Sequence, residues 1–134
     1  MYKVVFAEDE TSIRENVCRV IEWEKYDFKI VAAASDGEEA LSALRQHQPD
    51  LLITDIRMPF MDGLELAKVV RRTMPWLRIV FLSGHDEFEY AQKAVSLHAD
   101  AYLLKPVSSA QLLETLGQVA EQIEQEQQQL RSEG

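Results

Sequence analysis

Five short apolar runs recur along the chain at similar spacing, and this pattern constrains the fold more than any other feature. The runs are almost free of polar residues and contain many β-branched side chains, which is typical of strands covered on both faces. They occupy residues 4–7, 30–33, 51–54, 79–82 and 101–104. A segment with helical periodicity follows each run, so we predict five strand–helix units in sequence.

Each helical segment opens with a capping signature, an oxygen-bearing side chain followed three residues later by Glu or Gln. The two side chains can bind the backbone N–H groups that a first helical turn leaves without partners. The pairs are Ser12/Glu15, Asp36/Glu39, Asp62/Glu65, Asp86/Glu89 and Ser108/Gln111. Repeated strand–helix units predict an α/β fold with a parallel sheet and right-handed crossovers. A chain of 134 residues suits an open doubly wound sheet better than a closed barrel.

Side chains with reactive or cation-binding groups follow four of the five predicted strands. Glu8 and Asp9 follow the first strand, Asp55 the third, Ser83 the fourth and Lys105 the fifth. Ligands of open α/β sheets bind outside the carboxyl ends of the strands, so these side chains are expected to line one crevice. Carboxylates about 5 Å apart repel by about 3 kcal/mol per pair at an effective dielectric near 20. Their convergence therefore predicts a bound proton, a bound cation or a contact with Lys105.

The side chains of this crevice offer hard oxygen ligands, without a cysteine or a histidine pair at metal spacing, and this favours Mg²⁺ as the cofactor. Asp55 is the predicted nucleophile, which forms an aspartyl phosphate. Asp9 is the predicted metal-binding carboxylate, with Glu8 acting mostly through water. Lys105 is the predicted positive charge beside a phosphoryl oxygen. The pattern thus indicates phosphoryl transfer, which depends on positioning and charge neutralisation.

Composition limits the partners and the compartment. The net charge of −9 repels phosphate backbones, so we expect no direct binding of nucleic acid by this segment. The single cysteine, Cys18, cannot form an internal disulfide, which favours the cytoplasm. No apolar run is long enough to span a bilayer and no secretory signal precedes the first strand, so no membrane contact is expected.

Four stretches resemble the receiver domains of bacterial two-component response regulators. They lie at residues 7–10, 54–64, 82–84 and 102–106, and the resemblance extends from about residue 2 to residue 119. It implies a flavodoxin-like (βα)₅ fold with strand order 2-1-3-4-5. It also implies a phosphoprotein that changes conformation on phosphorylation, performing only self-phosphorylation and slow autodephosphorylation and no other enzymatic reaction.

The resemblance also implies roles for individual residues. A sensor histidine kinase would phosphorylate Asp55, and the metal would be bound by Asp9, Asp55 and the backbone carbonyl of Arg57. Ser83 would move to hydrogen-bond the phosphoryl group while Tyr102 turns inward. The Lys105–Pro106 peptide bond is expected to be cis, which would aim the lysine into the site.

Two histidines raise separate questions. His98 stands where a glycine usually closes the fourth helix of such domains, so this helix end is expected to be built differently or to be strained. His85 lies two residues beyond Ser83. We hypothesise that His85 and Arg57 set the lifetime of the phosphorylated state; the alternative is that both merely cover the edge of the site.

A narrower resemblance concerns the whole protein. Residues 21–28, 35–41 and 83–91 resemble regulators that join a receiver to an AraC-type helix-turn-helix domain. We predict a receiver domain over 1–120 and a helical linker over 121–134 that leads to a DNA-binding effector domain. A solvated, fraying helix end and a short coiled-coil segment are the alternatives for 121–134. Output is expected through the face of the fourth helix, fifth strand and fifth helix, which could also pair two copies of the chain.

Two other functions fit part of the pattern. A phosphatase with an aspartyl-phosphate intermediate would need an acid/base carboxylate two residues after the nucleophile, where Arg57 stands. A degenerate receiver that only docks partners would lack the phosphoacceptor, the metal-binding carboxylate or the lysine, and all three are present. The sequence therefore favours a phosphorylatable receiver.

Overall fold

The computed structural model describes residues 1–84 and 93–133 and contains one sheet of five parallel strands in the order β2-β1-β3-β4-β5. The strands are β1 (Tyr2–Ala7), β2 (Phe28–Ala34), β3 (Leu51–Asp55), β4 (Arg78–Ser83) and β5 (Ala101–Leu104). The fold class, the five strands and their order are confirmed. All five residues of the central strand β3 are buried, which explains its unbroken apolar run.

Helices cover both faces of the sheet. They are α1 (Thr11–Val20), α2 (Gly37–His47), α3 (Gly63–Thr73), α4, described over residues 93–96, and α5 (Ser109–Glu133). The alternation of β1 separates two cores, because successive side chains of a strand point to opposite faces. Val5 and Ala7 pack in the cluster that includes α2 and α3, whereas Val4 and Phe6 pack in the cluster that includes α5.

Three of the predicted helix caps are confirmed. The carboxylates of Asp36 and Asp62 each accept a hydrogen bond of 2.8 Å from the backbone N–H three residues later. The Ser108 hydroxyl accepts the corresponding bond at 3.1 Å. These caps start α2, α3 and α5 directly after loops that follow β2, β3 and β5.

The predicted cap at Ser12 is wrong. The carbonyl of Glu10 already accepts the first helical bond, from the N–H of Arg14 at 2.9 Å. The helix therefore begins at Thr11, and it has no side-chain cap. The predicted pair that starts with Asp86 lies outside the described residues.

A short 3₁₀ turn, Trp23–Tyr26, separates α1 from β2 and was not predicted. Trp23 is buried in the core cluster beneath α5. The Tyr26 ring packs against α5 at Gly117, where an added Cβ would lie 2.9 Å from the ring Cζ atom. The turn belongs to the crossover from β1 to β2, and it packs this crossover against α5.

The end of α4 is held by one arginine. His98 has a φ of 58°, in the left-handed region, which confirms the expected unusual helix end. The Arg71 guanidinium donates hydrogen bonds to the carbonyls of Leu97 at 3.1 Å and His98 at 3.0 Å, and also to that of Leu77. One side chain therefore joins α3, the end of α4 and the start of β4.

α5 continues beyond the predicted domain boundary at residue 120. Ile123 is buried in the core, the Arg78 guanidinium forms an ion pair with Glu126, and Leu130 is exposed. The division into a receiver and a linker stays a prediction. None of the helices in the described part of the chain is long and apolar enough to cross a bilayer.

Candidate functional site

The carboxyl edge of the sheet brings three charged groups into direct contact. The ammonium of Lys105 lies 2.7 Å from Glu8 Oε1 and 2.8 Å from Asp55 Oδ2. Lys105 is 97 residues from Glu8 and 50 from Asp55 in sequence, so the strand order is what places these groups together. The predicted convergence, including the contact with Lys105, is confirmed.

Backbone hydrogen bonds that continue the sheet fix the positions of these residues. The N–H of Glu8 donates to Ala34 O at 3.0 Å, and the N–H of Lys105 donates to Ser83 O at 2.7 Å. Asp55 and Ser83 are the last residues of β3 and β4, whereas the sequence pattern placed them just after the strands. Because these backbones belong to the sheet or extend it, the positions from which the side chains project are fixed relative to one another.

Three carboxylates meet in this crevice beside the ammonium of Lys105. Oxygen atoms of Glu8, Asp9 and Asp55 all lie within 4.8 Å of one another. Glu8 is fully buried, Asp55 is 6% exposed and Asp9 is exposed to solvent. The second carboxylate oxygen of Glu8, Oε2, is buried and has no hydrogen-bond partner among the described residues. This set of hard oxygens, with an unsatisfied buried acceptor, fits a divalent cation such as Mg²⁺.

The local electrostatics favour an added positive charge. Burial raises the pKa of Glu8 to about 8, to which the neighbouring Asp55 carboxylate contributes, while Lys105 acts in the opposite direction. Burial lowers the pKa of Lys105, but hydrogen bonds to Asp55 and Glu8 outweigh this effect and leave that pKa raised. The lysine therefore stays protonated at neutral pH and offsets only part of the negative charge.

Two glycines allow neighbouring backbone to pack closely against both sides of the loop between β3 and α3. The N–H of Gly63 donates to Ile56 O at 2.7 Å. A Cβ atom at Gly63 would overlap the carbonyl oxygen of Asp55 and lie 3.1 Å from the Cα of Ile56. On the other side, a Cβ at Gly37 would lie 2.6 Å from the Cβ of Met61. The backbone that carries Asp55 is thus fixed by α3, and the loop after it by α2.

The other predicted site residues surround this centre. Ser83 is buried, and its hydroxyl donates to the next carbonyl at 3.2 Å. Tyr102 is partly buried against the α2–α3 core cluster, and the side chain of Arg57 is exposed. The expected cis bond at Lys105–Pro106 is confirmed. His85 lies outside the described residues, and the switching and metal-binding roles of the others stay predictions.

Sequence reasoning missed Arg14. Its guanidinium donates to the backbone carbonyl of Glu8 at 2.6 Å and to the hydroxyl of Thr11 at 3.4 Å. Arg14 therefore ties the start of α1 to the residue that begins the acidic loop. An arginine about one helical turn after an acidic pair was the available signal, but the pattern alone does not say which carbonyl it binds.

Comparisons with known proteins agree on one family. The family described as "Response regulator receiver domain" matches residues 4–117. Transcriptional regulatory protein HptR of Staphylococcus aureus is 42% identical over 129 residues, which cover 96% of this chain and 50% of that protein. An uncharacterized response regulatory protein of Staphylococcus epidermidis is 46% identical over 112 residues, covering 84% of this chain and 44% of that protein. The chain thus spans about half the length of the curated relatives it matches.

Solved structures match over nearly the whole chain. The REC domain of AraT, a response regulator from Geobacillus stearothermophilus, superposes with a TM-score of 0.90 at 44% identity, covering 94% of this chain and 98% of that one. A two component transcriptional regulator AraC from Clostridium phytofermentans gives a TM-score of 0.84 at 31% identity, covering 96% and 99%.

Proposed function

This chain belongs to the response regulator receiver family, and from that premise we propose that Asp55 is its phosphoacceptor, with Mg²⁺ as the cofactor and a sensor histidine kinase as the donor. One observation carries the proposal: the Lys105 ammonium contacts Glu8 and Asp55 at 2.7 and 2.8 Å, beside a third carboxylate from Asp9. Folding does not require a buried carboxylate pair, because burying charge is costly. A reaction that needs both charge types explains the arrangement better.

In the proposed reaction, a carboxylate oxygen of Asp55 attacks the phosphorus atom. The bond between phosphorus and the donor's imidazole nitrogen breaks, and the nitrogen keeps the electron pair. Lys105 lies beside the reacting carboxylate and would neutralise a phosphoryl oxygen as charge develops. The Ser83 hydroxyl, at the end of the neighbouring strand β4, would donate to another phosphoryl oxygen, and Tyr102 would then turn inward.

The proposed metal ligands are Asp9, Asp55 and the backbone carbonyl of Arg57, with Glu8 acting mostly through water. The unsatisfied Glu8 oxygen and the mutual proximity of the three carboxylates support this assignment. When bound, Mg²⁺ supplies positive charge against the phosphoryl oxygens. The side chains hold the donor's phosphoryl group in line with Asp55 and keep that carboxylate within reach of Lys105.

We expect a single phosphoryl adduct when the chain is incubated with acetyl phosphate and Mg²⁺, measured by intact mass spectrometry. Asp55→Asn should abolish the adduct, because an amide is a far poorer nucleophile than a carboxylate. Chelation of the metal should also abolish it. The control Asp27→Asn, an exposed carboxylate outside the crevice, should be modified at the wild-type rate.

The same experiment separates the competing functions. Rapid turnover of many donor equivalents would favour a phosphatase, although the position of its acid/base carboxylate is occupied by Arg57. A wild-type chain that gains no adduct would favour a module that only docks partners. Either result would contradict the proposal.

We further propose that the chain is the cytoplasmic receiver part of a transcription regulator with an AraC-type DNA-binding domain. HptR is a transcriptional regulatory protein and the Clostridium phytofermentans protein is a transcriptional regulator AraC, and both similarities support this assignment. The greater length of the curated relatives supports it as well. In this proposal residues 1–120 receive the signal, and 121–134 link the receiver to the effector. The face of α4, β5 and α5, where Val95 and Leu104 are exposed, is the proposed output surface and the proposed homodimer contact.

A further inference from the structure

In the loop between β3 and α3, Phe60 has an unfavourable backbone conformation and an exposed apolar side chain. Phe60 has a φ of 69° and is 80% exposed. The N–H of Met61 donates to Pro59 O at 2.8 Å, which makes Phe60 the centre of a three-residue γ-turn with positive φ. Turns of this type are rare and strained, and a bulky residue at positive φ is an outlier. Phe60 therefore combines a strained backbone with a large apolar side chain in water.

The fold does not need a phenylalanine at this position. Phe60 belongs to neither core cluster. A glycine would adopt the same φ without strain, and a polar side chain would be better solvated. Phe60 is also considerably more exposed than Trp76, which is 44% exposed. Strain that persists without a packing reason is characteristic of functional positions.

The loop carries Phe60 on the same edge of the sheet as Asp55, because it connects the end of β3 to α3. Its ends are closed by the 2.7 Å bond from the N–H of Gly63 to Ile56 O, and Met61 packs against Gly37. Phe60 is three residues from Gly63, so their Cα atoms lie within about 11 Å of each other. Phe60 therefore lies in a loop that is anchored on both sides at the carboxyl edge of the sheet, the edge on which Asp55 ends β3.

We propose that Phe60 is an apolar anchor for the protein that delivers the phosphoryl group, a partner that carries phosphohistidine. This inference rests on the proposed function. Asp55 is only 6% exposed, so an imidazole-bound phosphoryl group can reach it only if the donor protein covers the edge of the crevice. That surface would bury Phe60, and it would face the exposed carboxylates Asp9 and Glu10 on the loop after β1. The partner should therefore present an apolar pocket next to basic side chains.

Removing such an anchor should slow phosphorylation only when the donor is a protein, because a small phosphodonor enters the crevice without touching Phe60. The test compares the phosphorylation rates of Phe60→Ala and wild type with two donors. One donor is acetyl phosphate, and the other is an autophosphorylated sensor kinase core chosen because it transfers to the wild-type chain. Phe60→Tyr keeps the aromatic anchor, and Trp76→Ala removes an exposed aromatic before the start of β4, at the opposite edge of the sheet.

With the kinase core, Phe60→Ala should react at least tenfold more slowly than wild type at low receiver concentration. The concentration of receiver that gives half the maximal rate should rise, whereas the maximal rate itself should stay nearly unchanged. With acetyl phosphate, its rate should stay within twofold of wild type. Phe60→Tyr and Trp76→Ala should match wild type with both donors. Circular dichroism melting of Phe60→Ala should show an unchanged Tm, because the side chain is exposed and belongs to neither core cluster.

Two results would overturn the inference. Equal rates of Phe60→Ala and wild type with the kinase core would show that the ring contributes nothing to the encounter. An equal loss with both donors would show that Phe60 acts on the geometry of Asp55 and not on the partner. A wild-type chain that fails to react with acetyl phosphate would instead refute the proposed function, so the two failures are distinguishable.

Discussion

Replacing Lys105 with methionine should slow phosphorylation by acetyl phosphate about 100-fold or more. The ammonium lies 2.8 Å from Asp55 Oδ2, where charge on the transferring group must be neutralised. Removing one fixed electrostatic group of this kind from an active site typically slows the reaction by roughly 100- to 1000-fold. Methionine keeps a long unbranched side chain, so the loss reports on charge. The initial rate of adduct formation, followed by intact mass spectrometry, gives the comparison.

The same substitution should also change stability. Without the ammonium, the buried carboxyl groups of Glu8 and Asp55 lose the hydrogen-bond donor that both contact, at 2.7 and 2.8 Å, and the free energy of unfolding should fall by about 1–3 kcal/mol. Adding Mg²⁺ should restore part of the loss, as measured by urea denaturation with and without the metal. Lys68→Met, at an exposed position on α3, should change neither stability nor rate. A Lys105→Met chain that reacts at the wild-type rate would contradict the assigned role.

A methyl group at Gly63 should damage both the fold and the site. The Cβ of Gly63→Ala would overlap the carbonyl oxygen of Asp55 and lie 3.2 Å from its carbonyl carbon. The backbone cannot easily retreat, because the Gly63 N–H is hydrogen-bonded to Ile56 O at 2.7 Å. We expect the free energy of unfolding to fall by about 2–3 kcal/mol. Because a displacement of about 1 Å can cost 100-fold in rate, phosphorylation should slow at least tenfold.

Gly117→Ala is the matched control for this steric argument. Its Cβ would also meet a neighbour, the Tyr26 ring at 2.9 Å, but a half-buried side chain can rotate away whereas a strand backbone cannot. Alanine also favours the helix by about 1 kcal/mol relative to glycine. The unfolding free energy should therefore change by less than about 1 kcal/mol. Similar losses in both variants would mean that Gly63 has no special relation to Asp55.

The sheet was predictable from sequence because its strands are buried on both faces and leave a continuous apolar signal. Positions such as Glu8, Asp55 and Lys105 followed, since the ends of parallel strands must share one edge. The caps at Asp36 and Asp62 were also predictable, because a capping pair depends on local spacing. Local rules and strand order were sufficient for these features.

Other features depend on contacts that the pattern of residue types along the sequence does not encode. Ser12 is a residue type that commonly caps helices, yet the helix begins at Thr11, two residues earlier than a cap at Ser12 would give, because the carbonyl of Glu10 accepts its first hydrogen bond. The 3₁₀ turn Trp23–Tyr26 has no periodicity, and it depends on packing against α5. The strained φ of Phe60 is equally invisible in sequence, because nothing in the residue type predicts a left-handed backbone.

Borohydride reduction of the phosphorylated chain tests the central claim most directly. Borohydride reduces an acyl phosphate to a primary alcohol, which converts an aspartyl phosphate into homoserine. After reaction with acetyl phosphate and Mg²⁺, peptide mapping by tandem mass spectrometry should find homoserine at position 55 and nowhere else. Homoserine at Asp9 or Asp62, or a phosphorylated chain that yields none, would contradict the assignment of Asp55 as the phosphoacceptor.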